Sequence, residues 1–235
     1  MITVKSTVSR RIKPKHKAVL HLILEPFSRT SWGGTMNGQS GRISLFREIF
    51  TALQPLAIVE TGTFIGATTK FFAEFGVPVH SVEADKGVLA VAKINTRNVR
   101  KKVTISLADS RTFLLNFVGD PQISNSRIFF YLDAHWNADL PLADEINIIF
   151  DACRESVIMI DDFQVPGASY AFDDYGPGAA LNSAYLDAMK RSDIYRLYPT
   201  LPASKETGAK RGCVVLCNDV DTLDRLSKLE SLRLG

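Results

Sequence analysis

The sequence predicts an α/β domain on a mostly parallel sheet of seven strands, with helices on both faces. Short apolar runs alternate with helix-compatible segments from residue 43 onward, and acidic residues close or follow these runs. This alternation ends in the tail, where only a polar loop separates two strand-like runs. Alternation of strands and helices is typical of βαβ units, which form parallel sheets.

Five apolar runs of strand length predict the parallel strands. They are LAIVE (56–60), VHSVE (79–83), VTISL (103–107), IFFYLD (128–133) and VIMID (157–161). In the tail, YRLYPTL and GCVVLC predict a hairpin, so the last strand should run antiparallel. The final segment, DVDTLDRLSKLESLRL, has the apolar spacing of a closing amphipathic helix.

The chain divides into a polar extension and one domain. We expect residues 1–44 to form a basic N-terminal arm and a lid-like segment, and residues 45–235 to form the domain. Six lysines and arginines precede the first acidic residue, Glu25, which predicts a solvated arm. Contact with an anionic partner is the alternative, and the arm also offers a docking or swapping element for a homo-oligomer.

Composition excludes several classes of protein. The net charge of +3 is too small to indicate a nucleic-acid partner, and 46% hydrophobic residues support a sizeable core. The apolar stretch AVLHLIL is too short to span a bilayer and lacks a signal-peptide cleavage site. The three cysteines lack the spacing of a zinc knuckle or a redox pair. We therefore expect a reduced, cytoplasmic protein without a membrane span.

Acidic residues stand at the carboxyl ends of all five parallel strands. They are Glu60, Glu83, Asp109 (two residues beyond its strand), Asp133 and the pair Asp161 and Asp162. Ligands of open α/β sheets bind in the crevice outside these strand ends. The alternative is that the acids cap the helices that follow, which accounts well for Asp109 and Ser110 but not for the whole set.

The turn after the first strand, TGTFIG, points to the kind of ligand. Gly62 and Gly66 let the backbone pass close to a ligand, and Thr63 can donate a hydroxyl. A dinucleotide loop would need a second glycine where Phe64 stands. Glu60 would repel a pyrophosphate and attract a cation, so the turn favours a cationic ligand.

These motifs together resemble the class I S-adenosylmethionine-dependent methyltransferases, over about residues 45 to 217. The resemblance rests on ETGTFIG, on SVEAD at the second strand end and on ADS after the third. It implies a Rossmann-like fold whose reversed seventh strand matches the tail. It also implies that Gly62, Thr63 and Gly66 surround the methionine end of S-adenosylmethionine, with Glu60 near its ammonium, Glu83 on the ribose hydroxyls, and Asp109 and Ser110 beside the adenine.

The fourth and fifth strand ends carry acids that a nucleoside cofactor does not need. Asp133, Asp161 and Asp162 are hard oxygen donors from neighbouring strands, of the kind that Mg²⁺ or Ca²⁺ prefers. His135 lies two residues beyond Asp133 and can accept a proton near working pH. Capping of the following segment by the aspartates and a structural histidine are the alternatives.

This second set resembles the metal-dependent O-methyltransferases, of both the catechol type and the macrocin or sugar type. The resemblance implies Mg²⁺ held by Asp133, Asp161 and Asp162, with His135 and Asp133 as catalytic residues. Catechol-type enzymes carry a lysine at the place of Trp136, whereas sugar-type enzymes place a base two or three residues after the first metal-binding acid, as His135 is here.

We therefore expect a methyl transfer from S-adenosylmethionine to a hydroxyl of a small molecule, such as a sugar or a secondary metabolite, assisted by a divalent metal. A nicotinamide-dependent oxidoreductase of nucleotide sugars and a non-catalytic binding module with the same fold remain as alternatives. Two loops are candidates for substrate contacts. Residues 165–179 offer Tyr170, Asp173, Asp174 and Tyr175 to an acceptor, and SWGGTMNGQ offers Trp32 and Gln39 as a lid.

Overall fold

The computed structural model describes residues 34–123, 126–135, 140–189 and 191–235. Five parallel strands form one side of its sheet, in the order β3-β2-β1-β4-β5. These strands are β1 (Ala57–Thr61), β2 (Val79–Glu83), β3 (Val103–Leu107), β4 (Ile128–Leu132) and β5 (Val157–Asp161). Each lies within one residue of its predicted bounds. The strand order reverses between β1 and β4, where a crevice opens outside the carboxyl ends.

The tail completes the sheet with three strands. These are β6 (Tyr195–Pro199), β7 (Cys213–Cys217) and β8 (Leu232–Leu234). The predicted hairpin is confirmed, since β7 runs antiparallel to both β5 and β6. The sheet has eight strands instead of seven, because β8 pairs antiparallel with β6 at the edge.

The predicted closing helix is therefore too long. The helix ends at Ser227, and the last residues of the predicted segment form β8. An unpaired β6 would leave a row of backbone N–H and C=O groups exposed, and β8 satisfies them. Leu232 is buried on that strand, which adds apolar packing to the pairing.

Helices cover both faces of the sheet, as predicted. They are α1 (Ser40–Leu53), α2 (Ala67–Phe72), α3 (Lys86–Asn95), α4 (Ser110–Val118), α5 (Leu142–Ala152), α6 (Ser183–Ala188) and α7 (Val220–Ser227). Aspartates cap three of them, because the carboxylates of Asp85, Asp109 and Asp219 accept N–H groups of the first turn.

Two apolar clusters enclose the sheet. Along β4, Phe129 packs with α1, α2 and α7, whereas Phe130 packs with α4, α5 and α6. Alternate residues of a strand point to opposite faces, so a strand buried on both faces must be apolar throughout. Packing on both faces of the sheet fixes the positions of the strand ends around the crevice. No helix in the described ranges is both long and apolar enough to cross a bilayer.

Candidate functional site

A small, partly open pocket lies at the carboxyl edge of the sheet, beside the point where the strand order reverses. Three segments form it: the 3-10 turn Thr35–Gly38, the loop from β1 to α2, and the ends of β4 and β5. Its walls are made by Gly34, Asn37, Glu60, Gly62, Thr63, Phe64, Ile65, Ala67, Thr68, Asp133 and Asp161. The predicted convergence of Glu60, Asp133 and Asp161 on one edge is therefore present.

Gly62 is required by the backbone of a neighbouring strand. Its φ of +83° lies in the left-handed region, and a Cβ there would overlap the carbonyl oxygen of Asp133. The sequence suggests instead that this glycine makes room for a ligand. Gly66 has a φ of +77° and begins α2, while the non-glycine residue Phe64 also adopts a positive φ, of 48°. The loop therefore turns tightly, and the N–H groups of Gly62, Thr63 and Phe64 are donated within the chain.

Glu60 lines the pocket and is only 1% exposed. Its Oε2 accepts hydrogen bonds from the hydroxyls of Ser81, at 2.6 Å, and Thr69. Burial raises the pKa of Glu60 to about 7, although these hydroxyls oppose the shift. The hydroxyl of Thr63, which we predicted to face the ligand, lies 2.6 Å from that of Ser81. No sequence motif identifies Ser81 or Thr69, but both are small hydroxyl residues on elements that flank β1.

Glu83 ties the β1–α2 loop to the end of β2. Its Oε2 accepts the N–H of Phe64 and its Oε1 accepts the N–H of Asp85, both at 2.9 Å. Burial raises the pKa of this half-buried carboxyl, against the lowering effect of the two N–H groups. A carboxylate has about four lone-pair positions, so further donors can still reach it.

Asp109 serves as a helix cap. It accepts the N–H of Arg111 at 3.0 Å and pairs with the guanidinium of that residue at 2.8 Å. Its neighbour Ser110 is buried beside Glu145, a carboxyl of α5 that is 1% exposed. Burial raises the pKa of Glu145 to about 7, against the weaker effect of the Ser110 and Thr61 hydroxyls. The capping alternative therefore accounts for the contacts that Asp109 makes within the chain.

Asp161 points into the protein, where it forms an ion pair with Arg42 of α1. Both side chains are almost fully buried. The Asp161 carboxylate also accepts the hydroxyl of Tyr131, the amide of Asn37 at 3.0 Å and the N–H of Asp162 at 2.7 Å. Both carboxylate oxygens of Asp161, which we predicted to bind a metal, therefore have partners within the chain.

Asp162 adopts a φ of +54° and pairs with a different arginine. Its Oδ1 accepts the Nε of Arg211 at 2.8 Å, and the same guanidinium pairs with Asp173. Arg42 and Arg211 were not predicted as site residues. A signal for Arg211 existed: it precedes an antiparallel strand, whose beginning lies at the carboxyl edge of the parallel ones.

Asp133, His135 and Asp162 come together beside the pocket, which Asp133 also lines. One ligand atom from each lies within 4.8 Å of the others. The Nε2 of His135 is 4.0 Å from Oδ1 of Asp133. Burial lowers the pKa of His135, and burial together with the charge of Asp162 raises the pKa of Asp133. The structure therefore brings His135, in place of Asp161, into one group with the two other aspartates.

The two candidate loops differ in what they reach. In the loop 165–179, the Tyr175 hydroxyl lies 2.9 Å from the carbonyl oxygen of His135 and also contacts Asp173. Tyr170 is buried and donates to the carbonyl of Leu201, and Asp174 accepts a turn N–H, so neither contacts the group around His135 in the described chain.

In the predicted lid, Gln39 is buried and bonds the backbone N–H and C=O of Arg211, whereas Asn37 lines the pocket. Trp32 and the basic arm lie outside the described residues.

Solved structures share this fold. The O-methyltransferase TomG from Streptomyces achromogenes, involved in tomaymycin synthesis and solved with SAM, has a TM-score of 0.58 at 15% identity, over 90% of this chain and 92% of that one. The O-methyltransferase from Bacillus cereus, in complex with SAH, has a TM-score of 0.56 at 14% identity, over 89% of this chain and 94% of that one.

SAH-bound PaMTH1, a methyltransferase from Podospora anserina, has a TM-score of 0.55 at 18% identity, over 89% of each chain. No protein-family model matches the sequence, and no curated protein matches it either. At these identities the likeness establishes the fold: the chain has the Rossmann-like architecture of these methyltransferases.

Proposed function

We propose that this protein is an S-adenosylmethionine-dependent O-methyltransferase that acts on a hydroxyl of a small molecule. The observation that carries the proposal is the pocket at the strand reversal, which is lined by a buried carboxylate, Glu60. Folds of this kind hold their ligands at that place. The O-methyltransferases with the same fold contain SAM or SAH, which supports the same cofactor here.

The cofactor half of the site comprises Glu60, the loop 62–66 and Glu83. Both hydrogen bonds to Glu60 in the described chain fall on Oε2, so we assign Oε1 to the ammonium of the methionine group. Glu83 would accept both ribose hydroxyls with its remaining lone pairs. We keep Asp109 and Ser110 as neighbours of the adenine, on the resemblance alone.

The acceptor half comprises Asp133, His135, Asp161 and Asp162. Asp133 lines the same pocket as Glu60, so a hydroxyl held near Asp133 would lie close to the methyl group of the cofactor. The reaction is a displacement at the methyl carbon: the hydroxyl oxygen forms a C–O bond, the C–S bond breaks, S-adenosylhomocysteine leaves, and the hydroxyl proton passes to solvent. The protein supplies the approach geometry. Asp133, His135 and Asp162 would hold a divalent cation, which would orient the hydroxyl and ease the loss of its proton.

A nicotinamide cofactor fits this pocket less well. Pyrophosphates bind to free backbone N–H groups in such loops, but the N–H of Phe64 is donated to Glu83. The buried Glu60 would also repel a phosphate. A binding module without catalysis would retain the cofactor half and have no use for a buried His135 that lies beside two aspartates and has no hydrogen-bond partner in the described part of the chain.

The proposal is tested with a panel of sugars, phenols and polyketides incubated with the protein and S-adenosylmethionine. We expect one or more members to gain the mass of a methyl group, with equal formation of S-adenosylhomocysteine. Glu60→Gln should reduce both products at limiting S-adenosylmethionine, because the ammonium loses its carboxylate. Oxidation of NADH by the panel, with no methyl gain, would favour the oxidoreductase instead.

A further inference from the structure

His135 is a buried histidine whose hydrogen-bonding groups are unsatisfied. Its side chain is 1% exposed, and neither Nδ1 nor Nε2 has a hydrogen-bond partner among the described residues. A neutral imidazole has one donor and one acceptor, and burying such groups without partners is costly. The contacts within the described chain give no reason for placing an imidazole here.

The surroundings of the ring supply the missing partner. Ligand atoms of Asp133, His135 and Asp162 lie within 4.8 Å of one another, and the nearest pair that involves the ring is 4.0 Å apart. Ligands bound to one ion at about 2.0 to 2.2 Å are separated by up to roughly 4 Å. A small inward movement of these side chains would therefore allow one ion to bind all three.

The charges around the ring also match a divalent cation. Three carboxyl groups, those of Asp133, Asp162 and Asp173, lie around the ring or its partners with one guanidinium, that of Arg211, so the acidic groups outnumber the cation. Arg211 donates to Oδ1 of Asp162, so Oδ2 of that carboxylate is the oxygen that an ion would take. Tyr175 holds the backbone carbonyl of His135 at 2.9 Å and so fixes the approach of the ring.

We propose that Asp133, His135 and Asp162 bind a first-row transition-metal dication in preference to Mg²⁺, with an imidazole nitrogen of His135 as a ligand. Mg²⁺ prefers oxygen ligands only, whereas imidazole favours transition metals. His135 is then a metal ligand and not the base expected from the sequence, and Asp161 remains with Arg42. The inference deepens the proposed function, but the binding of the ion requires no methyl transfer.

The test is a titration of the chelator-treated, desalted full chain with CoCl₂, followed by visible absorption. We expect one ion per chain, with ligand-field bands that a large excess of MgCl₂ does not remove. His135→Ala should weaken Co²⁺ binding by at least about 100-fold, the upper end of what loss of a mere outer partner costs. The matched control is His80→Ala, since His80 is half-buried on β2 against Phe117 and should leave the titration unchanged.

A second measurement needs no variant. In the Mn²⁺ form of the wild-type protein, spin-echo modulation should reveal coupling to an imidazole ¹⁴N nucleus. The proposal is overturned if that coupling is absent, if Co²⁺ does not bind, or if MgCl₂ displaces Co²⁺ at comparable concentration. An unchanged Co²⁺ affinity in folded His135→Ala would overturn it as well.

A separate titration with S-adenosylmethionine distinguishes this failure from that of the proposed function. Co²⁺ binding without cofactor binding refutes the methyltransferase and leaves the metal site standing. Cofactor binding without the metal signals refutes only the metal site.

Discussion

The two halves of the site satisfy their carboxylates in different ways. In the cofactor half, Glu60 and Glu83 accept hydrogen bonds from hydroxyl and N–H groups on neighbouring strands and loops. In the acceptor half, Asp161 and Asp162 are neutralised by arginines from distant parts of the chain. Neutral donors therefore stabilise the carboxylates of the cofactor half, whereas ion pairs with arginines stabilise Asp161 and Asp162 in the acceptor half. We expect the acceptor half to bind a cation as well.

Asp161 and Asp162 make the contrast sharpest, since they are adjacent in sequence. Asp161→Asn leaves the buried guanidinium of Arg42 without a counter-charge, which typically costs about 3 to 5 kcal/mol. Asp162→Asn keeps an acceptor for Arg211 and suits the positive φ, so we expect a loss of about 1 to 2 kcal/mol. Urea unfolding of the two variants measures the difference. Equal losses would mean that the two carboxylates do not differ in role.

The next prediction compares two glycines with the same φ, one of which lies in the loop of the cofactor half. Gly62 and Gly76 both have a φ of +83°, but only a Cβ on Gly62 would meet the backbone of Asp133. Gly76→Ala should cost about 1 to 2 kcal/mol for the left-handed conformation alone. Gly62→Ala adds overpacking and should cost about 2 to 5 kcal/mol. Thermal unfolding of both variants decides it, and a Gly62 loss no greater than that of Gly76 would contradict the close approach of β4.

Glu145, beneath the cofactor half, predicts how stability depends on pH. Its pKa is raised to about 7, so the folded state favours the protonated form. The stabilisation from protonated Glu145 is complete below the ordinary pKa of a glutamate and is lost as the pH rises through 7. Glu145→Gln removes this dependence and should be more stable than the wild type at pH 8 by up to roughly 3 kcal/mol, with little difference at pH 4. Denaturant unfolding at both pH values is the measurement, and the same difference at both would exclude this role of Glu145.

The smallest expected effect concerns the affinity for the cofactor. With a pKa of about 7, Glu60 is ionised at pH 7.5 and largely protonated at pH 6. An ammonium group binds the ionised form, so the affinity for S-adenosylmethionine should fall about tenfold between these pH values. Calorimetric titrations of the wild type and of Glu60→Gln measure it. The variant should bind more weakly with a flatter profile, and a flat profile in the wild type would remove Glu60 from the cofactor half.

Most of the fold could be predicted because the core strands are buried on both faces. Such strands are continuous apolar runs, and the turn residues that bound them are local in sequence. β8 could not be predicted, because three residues after an amphipathic helix carry no period of their own. Its formation depends on the open edge of β6, which is a property of the assembled sheet.

The sequence predicts those site residues whose positions follow from the local strand pattern. Glu60, Gly62 and Asp133 stand at strand ends that the pattern identifies. The partners that decide their roles are distant: Asn37 reaches Asp161 across 124 residues, and Arg211 reaches Asp162 across 49. The sequence treats Asp161 and Asp162 as equivalent, whereas a positive φ and two arginines separate them.

The central claim is that the crevice beside Glu60 holds S-adenosylmethionine. Isothermal titration calorimetry of the wild-type protein at pH 7.5 tests it most directly. We predict one binding site per chain, with S-adenosylhomocysteine competing for it. No heat of binding from folded protein for either ligand would contradict the account.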